Sequence, residues 1–207
     1  MLVVVGGHSR NIGKTSAVCA LIRKMRDRKW AAVKITQYGH GICSSKGEAC
    51  GCEGEGGAEH PFALTEEYEP GETDSGRFLK AGAERSFWLR APSGELARAA
   101  GTIRKLLAQN EDVIAESNSV VDLVDPDVFL MLLDFSCADF KPSSLRLMDR
   151  ADAFLVVDRG LNSPLWEDVS RDLWDHKPRF LVKPPAYVTP AVAAFVREKL
   201  SRVPQRG

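Results

Sequence analysis

The chain's chemistry is densest in one run near its start, Gly6-Gly7-His8-Ser9-Arg10-Asn11-Ile12-Gly13-Lys14-Thr15-Ser16. Glycines flanking a lysine and a hydroxyl residue suit the binding of a polyphosphate. Backbone N–H groups of such a loop wrap phosphate oxygens, and a helix starting at Lys14 adds N-terminal donors and a favourable dipole. Lys14 would reach the β- and γ-phosphates as a point charge and stabilise charge that develops during transfer, which makes it a catalytic candidate. Thr15 would place its hydroxyl on Mg²⁺. The expected phosphate contacts run through Gly7, His8, Ser9, Arg10, Asn11, Ile12, Gly13, Lys14, Thr15 and Ser16. A chance Gly-Lys-Thr at a helix start is the plain alternative. An apolar strand before the loop and an amphipathic helix after it favour the phosphate site.

A metal-bound phosphate also needs carboxylates. Three acids stand where a strand or loop would deliver them to the same edge. Asp74 opens a short helix, as its N-cap or in its first turn, and capping alone would explain it. Glu116 ends the expected strand Asp112–Ala115, and Asp134 ends the strongly apolar Val128–Leu133. In open α/β sheets ligands bind at the carboxyl ends of strands, so Asp74 and Glu116 are catalytic candidates. Thr15, Glu116 and Asp134 are the candidate Mg²⁺ ligands. Lys34, at the end of the second apolar run, either lines the phosphate site or ends a strand in solvent.

A second centre is expected in the run from His40 to Cys52. It reads His40-Gly41-Ile42-Cys43-Ser44-Ser45-Lys46-Gly47-Glu48-Ala49-Cys50-Gly51-Cys52. His40, Cys43, Cys50 and Cys52 fall within thirteen residues, enough to close a tetrahedral Zn²⁺ site. The glycines between them allow a tight wrap. His60 is an alternative fourth ligand, an iron–sulfur cluster is an alternative occupant, and a reduced Cys-containing loop is the bland alternative. Cys19 lies on the apolar face of the first helix and reads as core. Cys137 follows Asp134 in a loop.

The elements that must position these residues are legible as short apolar runs alternating with amphipathic stretches. The runs are Leu2–Val5, Ala31–Ile35, Ser86–Leu89, Val113–Ala115, Val128–Leu133, Phe154–Val157 and Phe180–Val182. They are apolar throughout rather than alternating, as strands covered on both faces should be. Helices are expected from Lys14 to about Arg28, over about Gly94–Gln109 and over about Pro190–Ser201. The implied fold is α/β: one three-layer domain over residues 1–207 with a mainly parallel sheet of about seven strands. Residues 37–73 break the rhythm and read as an inserted metal-binding loop after the second strand. From Glu48 to Asp74 there are nine acidic residues and no Lys or Arg, which a solvated insert would also explain. Trp88, Trp166 and Trp174 are candidates for an interface, with core packing favoured for Trp88.

Composition narrows the function classes. Formal net charge is zero, so nothing draws the chain to nucleic acid or an anionic membrane. No apolar run approaches a membrane span, and the N-terminal run is too short for a secretory signal. The five cysteines are odd in number, and three crowd into ten residues. That favours metal ligation over disulfides, and a cytoplasmic location.

Two resemblances sharpen this reading. Strict phosphate-loop spacing puts a glycine at position 8, where His8 stands; counted from Gly7 the loop is Gly-x5-Gly-Lys-Thr. This longer loop resembles that of dethiobiotin synthetase, within the larger nucleotide-dependent group that includes metallocofactor maturation proteins. The lysine that marks partition ATPases would fall at position 9, where Ser9 stands. The strings Ala32-Val33-Lys34-Ile35-Thr36 before Gln37-Tyr38-Gly39-His40, and Asp74-Ser75-Gly76-Arg77 leading to Ala81-Gly82-Ala83, resemble molybdopterin-guanine dinucleotide biosynthesis protein B, a small GTP-binding protein. Related proteins carry Glu-Gly where Glu116-Ser117 stands, with that carboxylate near the metal. The resemblance covers roughly the first 120 residues and departs from the pattern after Glu116. It implies a P-loop NTPase fold, GTP or ATP with Mg²⁺, slow hydrolysis, a protein partner in cofactor assembly, and a homodimer as one allowed state. The rival expectations are an ATP-dependent biosynthetic enzyme of the dethiobiotin synthetase kind, and a non-enzymatic binding module gated by nucleotide and metal.

Overall fold

The computed structural model describes residues 1–38 and 62–203. The expected Zn²⁺ ligands His40, Cys43, Cys50 and Cys52, and the alternative His60, lie outside the described residues. The chain forms an eight-stranded sheet in the order β3-β4-β2-β5-β1-β6-β7-β8. Its strands are β1 (Leu2–Gly7), β2 (Trp30–Tyr38), β3 (Ala63–Glu67), β4 (Arg85–Pro92), β5 (Asp112–Glu116), β6 (Val128–Asp134), β7 (Ala153–Val157) and β8 (Arg179–Val182). All seven expected strands are present, and every pairing among them is parallel. The eighth, β3, pairs antiparallel with β4 at the sheet edge.

Helices α1 (Lys14–Lys24), α2 (Asp74–Ala81) and α5 (Pro190–Ser201) cover one face, and α3 (Ala100–Gln109) covers the other with the irregular segments. A short turn of helix, α4 (Pro142–Leu145), follows β6. The pleat divides β1 between two cores. Val3 and Val5 pack with Val18, Leu21, Ile22, Phe78 and Val196. Leu2 and Val4 pack with Ile103, Leu106, Phe129 and Trp174. Burial on both faces is why β1 and β6 read as unbroken apolar runs. Among the described residues no helix is long and apolar enough to cross a membrane.

Several boundaries differ from expectation for local reasons. The first helix ends at Lys24 and not near Arg28, because buried Met25 turns the chain and its carbonyl accepts the Trp30 indole N–H at 3.1 Å. The irregular stretch expected over residues 37–73 is shorter, since β2 runs to Tyr38 and β3 occupies Ala63–Glu67. The strand β3 has no apolar run. It is held at the edge by ladder bonds and by Glu66, whose carboxylate accepts from Arg85 Nε and Nη2 at 2.7 and 2.9 Å. The tryptophan expectation reverses: Trp166 and Trp174 are buried in one aromatic cluster with Phe135 and Phe140. Trp88 is the half-buried one, with the Arg90 guanidinium 4.1 Å from its ring centre. Cys19 is buried in the core as expected, and Cys137 is half-buried.

Candidate functional site

Parallel β1, with β5 and β6 on its two sides, brings the first loop to the carboxyl edge of the sheet. There the structure opens a cleft of about 1160 Å³. Among the described residues, its walls include Arg10, Asn11, Gly13, Lys14, Thr15 and Ser16 of the first loop. Facing them are Lys34 and Gln37 from β2, Asp74 and Arg77 from α2, and Glu116 at the end of β5.

The loop's base is anchored before the cradle begins. The Asn118 carboxamide accepts the Gly7 N–H at 2.8 Å and donates to the Gly7 carbonyl at 2.9 Å. A side chain on Gly6 would sit 2.4 Å from the Asn118 amide oxygen, so this approach requires glycine there. The His8 N–H continues the β1–β6 ladder by donating to the Leu132 carbonyl at 3.1 Å. Gly7 and His8 therefore spend their N–H groups on the protein and anchor the base of the loop.

His8 explains the lengthened spacing. Its side chain turns inward, is fully buried, and stacks on Phe140 with ring centres 4.9 Å apart. Its Nε2 accepts the Asp134 N–H at 3.0 Å, which requires an unprotonated nitrogen there. Burial pushes its pKa down to about 4, although the Asp139 backbone and the Asp134 charge oppose the shift. Ser9 is tied down as well, its hydroxyl donating to Asp139 at 2.6 Å, and Ile12 is buried in the core. The loop then turns through left-handed Asn11 (φ 55°) and Gly13 (φ 102°) into α1. Successive N–H groups in such a turn form a concave anion cradle.

Two lysines meet the cradle differently. Lys14 Nζ donates to the Ser9 carbonyl at 2.7 Å, and burial pushes its pKa down to about 8, with Glu116 opposing. Lys34 is held by carboxylates. Burial works most strongly against its charge, yet Glu116 and Asp74 together keep its pKa above the ordinary lysine value.

The acids separate into two environments. Glu116, 3% exposed, accepts the Thr15 hydroxyl at 2.7 Å on Oε2 and the Lys34 ammonium on Oε1. Asp74 Oδ2 lies 2.8 Å from Lys34 Nζ. Burial works against the Asp74 charge, but Lys34, Thr15 and Arg77 outweigh it and hold its carboxyl below the usual range. Asp74 sits in the first turn of α2 while Thr73 is the cap, accepting the Gly76 N–H at 3.0 Å. Thr15, Lys34, Asp74 and Glu116 are thus one cluster. Asp134, expected as a rival Mg²⁺ ligand, stands apart. Its carboxylate accepts from Ser136 N–H (3.0 Å) and Oγ (2.6 Å) and from Arg159 Nε (3.3 Å). Register is the reason: Glu116 is level with Val5 in β1, whereas Leu132 is already level with Gly7, so Asp134 lies behind the loop at His8.

Among the cleft residues that the sequence reading did not single out as site residues are Arg77, Asn118 and Tyr187. Arg77 Nη2 donates to Ser16 Oγ at 3.2 Å, and its basic place two residues after Ser75 was its only signal. Asn118 stands two residues beyond Glu116, but its partner Gly7 is 111 residues away. Tyr187, from the loop between β8 and α5, presses on Gly13 so closely that a Cβ there would meet its ring at 2.2 Å. Its signal was the Pro-rich turn after the last apolar run.

No known family model and no curated protein matches the sequence. The fold does match solved structures. One is HypB from Helicobacter pylori in complex with nickel, at a TM-score of 0.55 and 14% identity, over 99% of this chain and 90% of that one. At that identity the likeness concerns the fold. The layers, the strand order around β1 and the loop at its carboxyl end are those of a three-layer P-loop NTPase fold.

Proposed function

We propose that this cleft binds a nucleoside triphosphate, GTP or ATP, as its Mg²⁺ complex and hydrolyses it slowly, and that the chain serves as an accessory in metallocofactor assembly. The observation that carries the nucleotide reading is the 2.7 Å bond from Thr15 to Glu116 at the mouth of the Lys14 loop. It joins the hydroxyl expected on Mg²⁺ to a buried strand-end carboxylate. The donor set fits that ion: a hydroxyl and two carboxylates, all hard oxygens. Among the described residues no group of three or more His, Cys, Asp or Glu could hold a metal alone. Mg²⁺ is usually held this way, by one or two carboxylates with phosphate oxygens and water completing the shell. Thr15, Glu116 and Asp74 would hold it, and when bound it supplies charge neutralisation at the β- and γ-phosphates.

The remaining chemistry belongs to the chain. Backbone N–H groups from Arg10 to Ser16 orient the phosphates. Lys14, released from the Ser9 carbonyl, stabilises charge on the transferred group. Arg77, beside Ser16 and Asp74, adds its guanidinium to Lys14 and Lys34 at the same edge. Tyr187 and the β8–α5 loop flank the far side of Gly13, where a base would extend.

The metallocofactor reading joins this cleft to the sequence cluster His40, Cys43, Cys50 and Cys52, proposed to bind Zn²⁺ or another transition metal. Tyr38, the last described residue of β2, lines the cleft, so the chain leaves for that cluster from the nucleotide's own edge. The nickel is HypB's, and a transition metal bound by a protein of similar fold supports this reading. The resemblance of the Lys34 and Asp74 strings supports molybdenum-cofactor assembly with a protein partner, and a homodimer as one allowed state.

A second reading keeps a specific observation. The cleft continues beyond the phosphate loop to Gln37, Ser93 and Ser119, with Lys34 and Arg77 as cations, room for a small acid that a dethiobiotin synthetase-like enzyme would activate. Elemental analysis of purified protein, with the identity of co-purified nucleotide and phosphate release with and without added small acids, tests both. Nucleotide together with zinc or another transition metal supports the first reading. Acid-dependent phosphate release without bound metal supports the second.

A further inference from the structure

The cation between Glu116 and Asp74 belongs to the protein. Lys34 is fixed in place by register, level with Glu116 on one side and Trp88 on the other, within the parallel ladder. Its ammonium bonds Glu116 Oε1 and lies 2.8 Å from Asp74 Oδ2, while Thr15 takes Glu116 Oε2. Both carboxylates and the hydroxyl that fit a hard divalent ion are therefore engaged by one internal cation and by each other. Glu116 is almost fully buried, and a buried carboxylate without a counter-charge is strongly disfavoured. The lysine removes that penalty while no metal is present.

We propose that Lys34 is a built-in stand-in for the divalent cation, competing with it for the same carboxylate oxygens, so that metal enters with the triphosphate and not ahead of it. The proposal rests on the Mg²⁺–nucleotide reading of this site. Its physical basis is charge. With Lys34 between them and the Arg77 guanidinium 3.7 Å from Asp74, the two carboxylates carry no uncompensated negative charge, and a divalent ion arriving alone meets an ammonium at close range. A triphosphate brings the missing anionic charge and further oxygen ligands, and the ammonium can then turn from the carboxylates toward phosphate. Like charges at such separations in a partly buried site repel strongly enough to govern the order of binding.

The test is Mn²⁺ binding, read by the electron paramagnetic resonance of the free ion, with and without a non-hydrolysable triphosphate analogue. Without nucleotide, Lys34→Met is expected to bind Mn²⁺ at least about tenfold tighter than wild type. Lys34→Arg, which keeps the charge, is expected to match wild type. Glu116→Gln added to Lys34→Met is expected to abolish the gain. With the analogue, wild type and Lys34→Met are expected to converge. Lys34→Gln keeps a hydrogen bond to Glu116 without the charge, and it replaces the Met variant if that does not fold. Equal Mn²⁺ affinity of wild type and both neutral variants without nucleotide, in a protein that binds the analogue, overturns this proposal and leaves the nucleotide reading intact. Failure of wild type to bind the analogue at all, with or without Mn²⁺, removes both.

Discussion

Thr15 and Glu116, 101 residues apart, share a 2.7 Å hydrogen bond at the carboxyl end of the central strands. Thr15 arrives on the first turn of α1, and Glu116 on the last residue of β5, level with Val5. The phosphate loop and the proposed metal carboxylate are thereby locked to one another through the sheet.

Breaking that lock is expected to remove metal-dependent nucleotide affinity. Thr15→Ala and Glu116→Gln should each weaken Mg²⁺–nucleotide binding by about 10–100-fold, the loss usual when a group that holds or orients a metal is removed. Asp134→Asn, whose carboxylate serves Ser136 and Arg159, should change it by less than about threefold. Calorimetric titration in Mg²⁺ and in EDTA measures all three.

Asn118 is expected to matter for both stability and binding. Asn118→Ala leaves the Gly7 N–H without its carboxamide partner, at a cost of about 1–3 kcal/mol, read as a shift in the urea midpoint. Nucleotide affinity should fall with it, because the loop's base is no longer pinned to the segment that follows β5.

Lys14 gives the binding a direction in pH. Its pKa in the free protein is pushed down to about 8, and anionic phosphates favour its charged form. Binding above pH 8 therefore takes up a proton. Affinity should be level below pH 8 and fall by up to about tenfold per unit above it. In stability, the unfolded lysine holds its proton up to its ordinary value, so the penalty for burying Lys14 fades as pH rises from 8 toward that value. Titrations in buffers of different ionisation enthalpy report the proton uptake.

His8 acts at the acid end. Its folded pKa is about 4 against an ordinary 6.5, so the unfolded chain binds more protons across that window. Stability should fall as pH drops from 6.5 toward 4 and level off below, by about 3 kcal/mol in all from this residue. His8→Phe should remove this part of the acid sensitivity, seen as a smaller loss between pH 7 and 5 in urea melts than wild type shows.

The parts legible in the sequence are those whose signal is local. Seven strands announced themselves because burial on both faces leaves an unbroken apolar run. The phosphate loop did so because Lys14 and Thr15 follow a turn that only glycine makes easily. What was not legible depends on register or on distant partners. Glu116 and Asp134 are both acids ending strands that flank β1, but Glu116 is level with Val5 while Asp134 lies four residues beyond Leu130, the β6 residue at that level, and this offset separates the cleft from the space behind His8. Edge strand β3 is stabilised by a ladder and an Arg85 pair, with too few apolar residues to show a pattern. Trp166 is buried by its contacts with Phe135, Phe140 and Trp174, and its own neighbours in the sequence do not reveal that cluster.

The central claim is that this cleft binds a nucleoside triphosphate through Lys14. Its most direct test is a calorimetric titration of GTP and ATP, in Mg²⁺, into wild type and Lys14→Ala at pH 7. The account predicts saturable binding of at least one nucleotide to wild type, and a loss of at least about tenfold in Lys14→Ala. Absence of binding to both proteins, or equal binding to both, contradicts it.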